Sequence, residues 1–132
     1  MTPLLIVDSA NVVGSIPDGW WRDPMGAATR LRDSLGPVAR TGLAVGPEEL
    51  AGPLDVVLVV EGAARDLESS ETVRVVGAPR SGDDTIVDLV RPTVGVRACA
   101  VVTADRALRD RVGELGAHVL GPRSLPYSGR RG

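Results

Sequence analysis

The sequence contains no lysine and no phenylalanine, and it has one cysteine and one histidine. The absence of lysine excludes a P-loop phosphate site and every Schiff-base mechanism. The lone Cys99 excludes an internal disulfide, and the lone His118 excludes Cys/His zinc sites and any mechanism that needs two imidazoles. Any chemistry of this chain must therefore depend on oxygen ligands.

Long apolar runs are also missing. The longest extend from Leu4 to Val7 and from Val56 to Val60, far too short to span a bilayer. The amino terminus lacks the basic-then-apolar pattern of a secretory signal. We therefore expect a cytoplasmic protein with no membrane segment. Its 132 residues support one core, which predicts a single domain over residues 1–123 and a flexible tail over residues 124–132, in which only Leu125 and Tyr127 are candidates for packing.

Five short apolar runs predict five strands. Most lack polar alternation, which is typical of strands that are buried on both faces of a parallel sheet. Helical patterns fall between the runs, including one that begins at Asp23 and Pro24 with Asp as the cap. The pair Gly36-Pro37 is expected to end or kink that helix. The expected fold is a three-layer α/β/α sandwich with a mostly parallel central sheet. The five runs cover residues 4–7, 56–60, 73–76, 98–102 and 117–120.

Acidic residues follow the predicted strands. Asp8 directly follows the first strand and Glu61 the second, while Asp105 comes after the fourth with two residues between. The pair Asp83 and Asp84 opens a predicted helix. Asp is also a favoured helix cap, so each residue taken singly has a structural explanation. Together they converge on the edge of a parallel sheet where such folds bind ligands.

Several carboxylates in one pocket repel one another unless a cation is present. Hard oxygen ligands select Mg²⁺ or Mn²⁺, which suit phosphodiester hydrolysis by an activated water. We expect Asp8, Asp84 and Asp105 to hold the metal, with Asp83 as a further ligand or base. Additional acidic candidates are Glu61 and Asp88, although a solvated side chain is the simpler interpretation of Asp88.

Other polar and aromatic residues are candidates for substrate contacts. Asn11 stands three residues beyond Asp8, where its amide could orient water or phosphate or simply form a turn. Thr103 could bond a metal ligand or phosphate, or end its strand. An indole of the pair Trp20-Trp21 could stack on an unpaired base, with Trp20 the candidate for substrate contact, or the pair could anchor its loop on the core. Arg80 and Arg106 could neutralise phosphates or lie on a solvated face.

Three segments of the sequence resemble a known family. They are Val-Asp-Ser-Ala-Asn at 7–11, Ser-Gly-Asp-Asp-Thr-Ile at 81–86 and Val-Val-Thr-Ala-Asp-Arg at 101–106. In order and placement they resemble the NYN (YacP-like) family of the PIN-like nuclease superfamily, over residues 4–121. The resemblance implies a PIN-like fold and metal-dependent ribonuclease activity, with Asp8, Asn11, Asp83, Asp84 and Asp105 matching the family's catalytic centre.

The chain departs from this family at Val87, where members often carry an acid, and Asp88 follows one residue later. The leading hypothesis is a Mg²⁺- or Mn²⁺-dependent endoribonuclease with an RNA substrate. The alternative is a weak or inactive PIN-like module that binds RNA or protein. A homo-oligomer or a protein partner is compatible with either hypothesis. A Toprim-type site at Glu61 is disfavoured because no Asp-x-Asp follows, and dinucleotide binding because no Gly-x-Gly-x-x-Gly follows the first strand.

Overall fold

A computed structural model describes residues 1–129 of the protein. Its strands are β1 (Leu4–Asp8), β2 (Asp55–Val60), β3 (Val73–Gly77), β4 (Cys99–Val102) and β5 (His118–Leu120). They form one sheet in the order β3-β2-β1-β4-β5, and every neighbouring pair is parallel. The predicted five-stranded parallel sheet is confirmed.

Helices cover both faces of the sheet. They are α1 (Ser9–Gly14), α2 (Pro24–Ser34), α3 (Gly36–Thr41), α4 (Gly82–Val90) and α5 (Arg106–Leu115). Buried side chains of α1, α2 and α3 share one apolar cluster, and those of α4 and α5 share a second. The α/β fold with helices around a central sheet therefore matches the expected three layers.

The central strand β1 shows why its sequence lacks polar alternation. Leu5 and Val7 belong to the first cluster, whereas Leu4 and Ile6 belong to the second. Successive side chains of a strand point to opposite faces, so a strand covered on both sides must be apolar throughout. Burying a Leu or Ile completely contributes roughly 1.5–3 kcal/mol. These contacts fix β1 rigidly at the centre of the molecule.

Two helices differ from the sequence-based expectation. The segment beginning at Ser9 is a helix, α1, where a turn was predicted. The pair Gly36 and Pro37 does not simply end the preceding helix but opens α3. Proline is tolerated in a first helical turn because the N–H it lacks would have no partner in the helix there.

The carboxyl-terminal segment packs on the core before the described chain ends. Leu125 and Tyr127 are buried in the cluster formed by α1, α2 and α3. Leu125 and Tyr127 are the two residues of the predicted tail, 124–132, that the sequence singled out as candidates for packing, and residues 130–132 lie outside the described part. Within residues 1–129, no helix has the length and apolar character required to cross a membrane.

The all-parallel sheet determines where the acidic residues meet. Because all strands run in one direction, the ends of β1, β2 and β4 lie along one edge. Asp8 is the last residue of β1, Glu61 follows β2 and Thr103 follows β4. Asp83 and Asp84 lie in the first turn of α4, and this helix packs against β1 and β2.

Candidate functional site

Asp8 lies at the centre of this edge and is only 5% exposed. Its Oδ2 accepts a hydrogen bond of 2.9 Å from the Thr103 hydroxyl. The same hydroxyl oxygen accepts a 3.1 Å bond from the backbone N–H of Asp105. Thr103 is completely buried. It therefore positions Asp8 and the Asp105 loop, and of the roles considered from the sequence a bond to a candidate metal ligand is the one that agrees with these contacts.

Asn11 links α1 to the same loop. Its side-chain Oδ1 accepts a 2.8 Å bond from the backbone N–H of Ala104. Asp105 is the N-cap of α5, and its Oδ1 accepts a 2.9 Å bond from the backbone N–H of Leu108. The capping role allowed by the sequence is therefore present. It does not remove the carboxylate from the site, because the charge of Asp105 still raises the pKa of Asp83.

Glu61 joins the end of β2 to the start of α4. Its Oε1 accepts a 3.1 Å bond from the backbone N–H of Gly82. A Cβ at position 82 would lie 3.3 Å from that oxygen and 4.0 Å from Oδ1 of Asp8. Both carboxylates therefore approach the same glycine. Gly82 has no role predicted from the sequence, although its place directly before two acids was the available signal.

The pKa values show that these charges are close. Burial, as the main cause, raises the pKa of Asp8 to about 6 from its ordinary 3.8, with smaller contributions from the charges of Asp83 and Glu61. Hydrogen bonds from the Thr103 hydroxyl and the Asn11 backbone amide lower the pKa of Asp8. Burial also raises the pKa of Asp83, and the charges of Asp105 and Glu61 raise it further. The four acids thus form an electrostatically coupled group.

Asp84 is oriented differently from its neighbour. Its side chain is 81% exposed, and Oδ1 forms a 3.2 Å ion pair with Nη2 of Arg111 on α5. Arg111 also lowers the pKa of Asp83. Adjacent helical residues point about 100° apart, so only one of the pair can face the other acids. Asp83, which was predicted only to assist, is the residue coupled to Glu61 and Asp105.

Asp88 also lies away from the coupled acids. Its side chain is 75% exposed and forms a 3.5 Å pair with Arg91 on the same helix. Such an exposed pair contributes little to stability. The simpler interpretation of Asp88, a solvated carboxylate, agrees with this position.

Arg111 was not identified from the sequence, because its contact with Asp84 spans 27 positions and has no local signal.

The donor chemistry of the coupled acids suits a hard divalent cation, since carboxylate oxygens are its preferred ligands. Their mutual repulsion supplies a reason for a cation to bind. Within residues 1–129, however, no group of three or more His, Cys, Asp or Glu side chains is arranged to hold a metal ion. Two of the carboxylates instead engage backbone N–H groups, at Gly82 and at Leu108. A metal would have to replace or share these bonds.

The two tryptophans occupy different environments. Trp20 packs against the core and lines a cavity of about 60 Å³ together with Ser9 and Glu61. Trp21 is 59% exposed. Arg80 and Arg106 are exposed close to the acids, the first preceding α4 and the second beginning α5. The anchoring interpretation of Trp20 therefore agrees with its position.

Thr103→Val tests how Asp8 is positioned. The variant keeps the side-chain shape but removes a donor to Asp8 and an acceptor for the Asp105 N–H. We expect the free energy of unfolding of the variant to be about 1–3 kcal/mol lower than that of the native chain, which is the usual cost of leaving buried polar groups unpaired. Urea denaturation at pH 7 measures this difference. Thr41→Val is the control, since its hydroxyl bonds only an exposed turn of α3. Equal losses in the two variants would contradict the assignment.

Comparison with known proteins yields a structural match only. The sequence matches no protein-family model. It also matches no curated protein. The crystal structure of a mutant of Rae1 (YacP) from Bacillus subtilis is similar, with a TM-score of 0.71 and 19% sequence identity. The match covers 95% of this chain and 72% of the Rae1 chain. The chain therefore has a YacP-like α/β fold.

Proposed function

We propose that this chain is a metal-dependent ribonuclease that hydrolyses RNA phosphodiester bonds. The observation that carries the proposal is the convergence of Asp8, Glu61, Asp83 and Asp105 at one edge of the sheet, where Thr103 joins Asp8 to the Asp105 loop and Glu61 bonds the backbone of Gly82 at the start of α4. Such a group is costly to keep ionised in a folded protein. A function that uses a cation supplies a reason for retaining it. The YacP-like fold and the family resemblance of the three motifs support the same activity.

Asp8 and Asp83 are the proposed principal ligands of Mg²⁺ or Mn²⁺, with Asp105 and Glu61 completing the site. When bound, the cation lowers the pKa of a water molecule and neutralises charge on the phosphate. Thr103 holds Asp8 in one orientation. The backbone N–H of Ala104 holds Asn11 through its Oδ1, which leaves the side-chain NH₂ group of Asn11 to act as a donor. Arg80 and Arg106 are proposed to contact phosphates on either side of the scissile bond.

Asp83→Asn and Asp84→Asn form a matched pair for testing the proposal. Each removes one negative charge from the first turn of α4, but the charges of Glu61 and Asp105 act on Asp83, whereas Asp84 is 81% exposed and pairs with Arg111. We expect Asp83→Asn to reduce Mn²⁺-dependent cleavage of a labelled RNA by at least about tenfold, the lower range for perturbing a metal site. Asp84→Asn should retain activity within about threefold. EDTA should abolish cleavage by the native chain.

The measurement is the initial rate of cleavage at saturating Mn²⁺. Cleavage that persists in EDTA would contradict metal dependence. Equal losses in Asp83→Asn and Asp84→Asn would contradict the assignment of Asp83 as the ligand. A larger loss in Asp84→Asn would restore the original expectation that Asp84 holds the metal.

The second candidate function is a binding module with the same fold and no catalysis. It is favoured by the backbone bonds of Glu61 and Asp105, which satisfy these carboxylates without a cation. Calorimetric titration with Mn²⁺ separates the two functions. Binding in the low-millimolar range or tighter supports the nuclease, whereas no heat of binding supports the module.

A further inference from the structure

The loop between α1 and α2 contains a short 3₁₀ turn, Trp20–Arg22, that is held in place by its neighbours. Gly19 precedes the turn with a φ of +80°, a conformation that favours glycine. The Asp18 carboxylate accepts a 3.1 Å bond from the backbone N–H of Trp20, and the Arg22 N–H donates to the Gly19 carbonyl at 3.0 Å. The turn therefore presents its side chains in a defined orientation.

Trp20 anchors this turn beside the acidic site. Its ring packs against the core and borders the small cavity that Ser9 and Glu61 also line. Ser9 directly follows Asp8 in the chain. The ring of Trp21 meets that of Trp20 edge to face, with centroids 6.2 Å apart and an interplanar angle of 87°. Trp21 thus contacts the anchored ring of Trp20 and is itself exposed to solvent.

Trp21 exposes an unusually large aromatic surface. It is 59% exposed, whereas indole rings are mostly buried in folded proteins. The guanidinium carbon of Arg22 lies 5.8 Å from the ring centroid, within the range of a cation–π contact. This contact orders the ring while leaving most of the residue open to solvent. Exposed indole beside arginine is the combination on which unpaired bases stack.

The charge of the chain explains why such a surface is useful. The net charge is −2, and four of the acidic side chains lie at the proposed catalytic site, where the phosphate must bind. Long-range attraction therefore contributes little to RNA binding. Stacking on an aromatic ring provides affinity that does not depend on net charge. Trp21 contacts Trp20, which borders the same cavity as Glu61, so the exposed ring belongs to the turn next to the acids.

We propose that Trp21, with Arg22 beside it, is a stacking platform for one unpaired RNA base next to the acidic site. The proposal rests on the RNA substrate of the proposed function and extends it to single-stranded RNA. It assigns substrate stacking to Trp21 and loop anchoring to Trp20. Because stacking needs an accessible base face, a fully paired duplex should not use this platform.

The test measures binding without cleavage, in EDTA, by fluorescence anisotropy of a labelled oligoadenylate decamer. Trp21→Ala should weaken binding by about tenfold, within the range for removing one base stack. Trp21→Phe should recover most of the affinity, since phenylalanine keeps a ring face. The control is Val96→Ala, which shortens a 62% exposed side chain near the amino end of β4, at the opposite edge of the sheet. Its affinity should equal that of the native chain.

Several outcomes would overturn the platform. They are equal affinities of the native chain and Trp21→Ala, no binding of the decamer by the native chain, and an equal effect of Trp21→Ala on duplex RNA. Sedimentation provides a separate readout. If Trp21→Ala changes the oligomeric state but not the RNA affinity, the ring covers a protein contact and the proposal is wrong.

Cleavage in Mn²⁺ distinguishes failure of this inference from failure of the proposed function. A chain that binds the decamer through Trp21 but does not cleave it supports the platform and contradicts the nuclease. A chain that cleaves single-stranded RNA with the same KM after Trp21→Ala supports the nuclease and contradicts the platform.

Discussion

Replacing Asp8 with asparagine is expected to reduce Mn²⁺-dependent RNA cleavage by more than about a hundredfold, because even groups that only support a metal ligand contribute 10–100-fold. Asp8 is the most buried of the coupled acids and the one held by Thr103. Asparagine has nearly the same shape and can still accept the Thr103 bond. The loss should therefore reflect the missing charge and not a change in packing. Initial cleavage rates over a range of Mn²⁺ concentrations provide the measurement.

Asp88→Asn is the matched control for this experiment. It makes the same chemical change at a 75% exposed carboxylate that pairs only with Arg91 in the structure. Its cleavage rate should remain within about twofold of the native rate, because surface pairs have small effects. Asp8→Asn with native activity would contradict the proposed hydrolase directly. A similar loss in both variants would show that the assay responds to total charge.

The same Asp8→Asn variant is expected to be more stable than the native chain at pH 8, by about 3 kcal/mol. Folding raises the pKa of Asp8 from 3.8 to about 6, mainly through burial, and this difference corresponds to about 3 kcal/mol. The protonated carboxyl is favoured in the folded state, so its contribution is fully present below about pH 4. That contribution is lost as the pH rises through about 6.

Urea denaturation at several pH values between 4 and 8, in EDTA, measures the effect. The free energies of unfolding of the two proteins should be similar near pH 4, diverge between about pH 4 and pH 6, and differ by a constant amount above pH 6. Asp88→Asn should follow the native curve throughout. Equal stability of Asp8→Asn and the native chain at pH 8 would show that burial of the charge is not costly.

Added Mn²⁺ should narrow this stability difference. A ligand that binds only the folded state stabilises it by about 2.7 kcal/mol at a concentration of 100 Kd. The native chain should therefore gain stability at pH 8, while Asp8→Asn gains much less. Together the Asp8 predictions describe a residue that lowers stability in exchange for function, a pattern common at active sites.

The extent to which the site could be predicted differed between strands and helices. Asp8, Glu61 and Asp105 were expected at one edge because each follows an apolar strand, and parallel strands end together. Their burial and coupled charges are consistent with that expectation. From the sequence Asp84 was expected to hold the metal and Asp83 to be a further ligand or base, but no local pattern distinguishes these neighbours. The choice between them depends on the rotation of α4 relative to Arg111, a residue from a different helix.

The tryptophan pair shows the same limit. Both residues have the same local sequence context, and a stacking or anchoring role was open for Trp20. The structure separates them because the 3₁₀ turn directs Trp20 toward the core and leaves Trp21 exposed. The helix α3 was missed because Gly36 and Pro37 usually interrupt helices, and only the tertiary structure shows that a new helix begins there.

The sequence by itself determined the parallel α/β sheet and the edge at which the acids lie. Uninterrupted apolar strands must be covered on both faces, and the residue types of a short run are enough to indicate that it is buried. The tertiary structure decided the orientation of individual side chains. It selected Asp83 over Asp84 as the coupled acid, Thr103 as the partner of Asp8, and Trp21 as the exposed ring. These choices depend on contacts between residues distant in the chain, which no local pattern records.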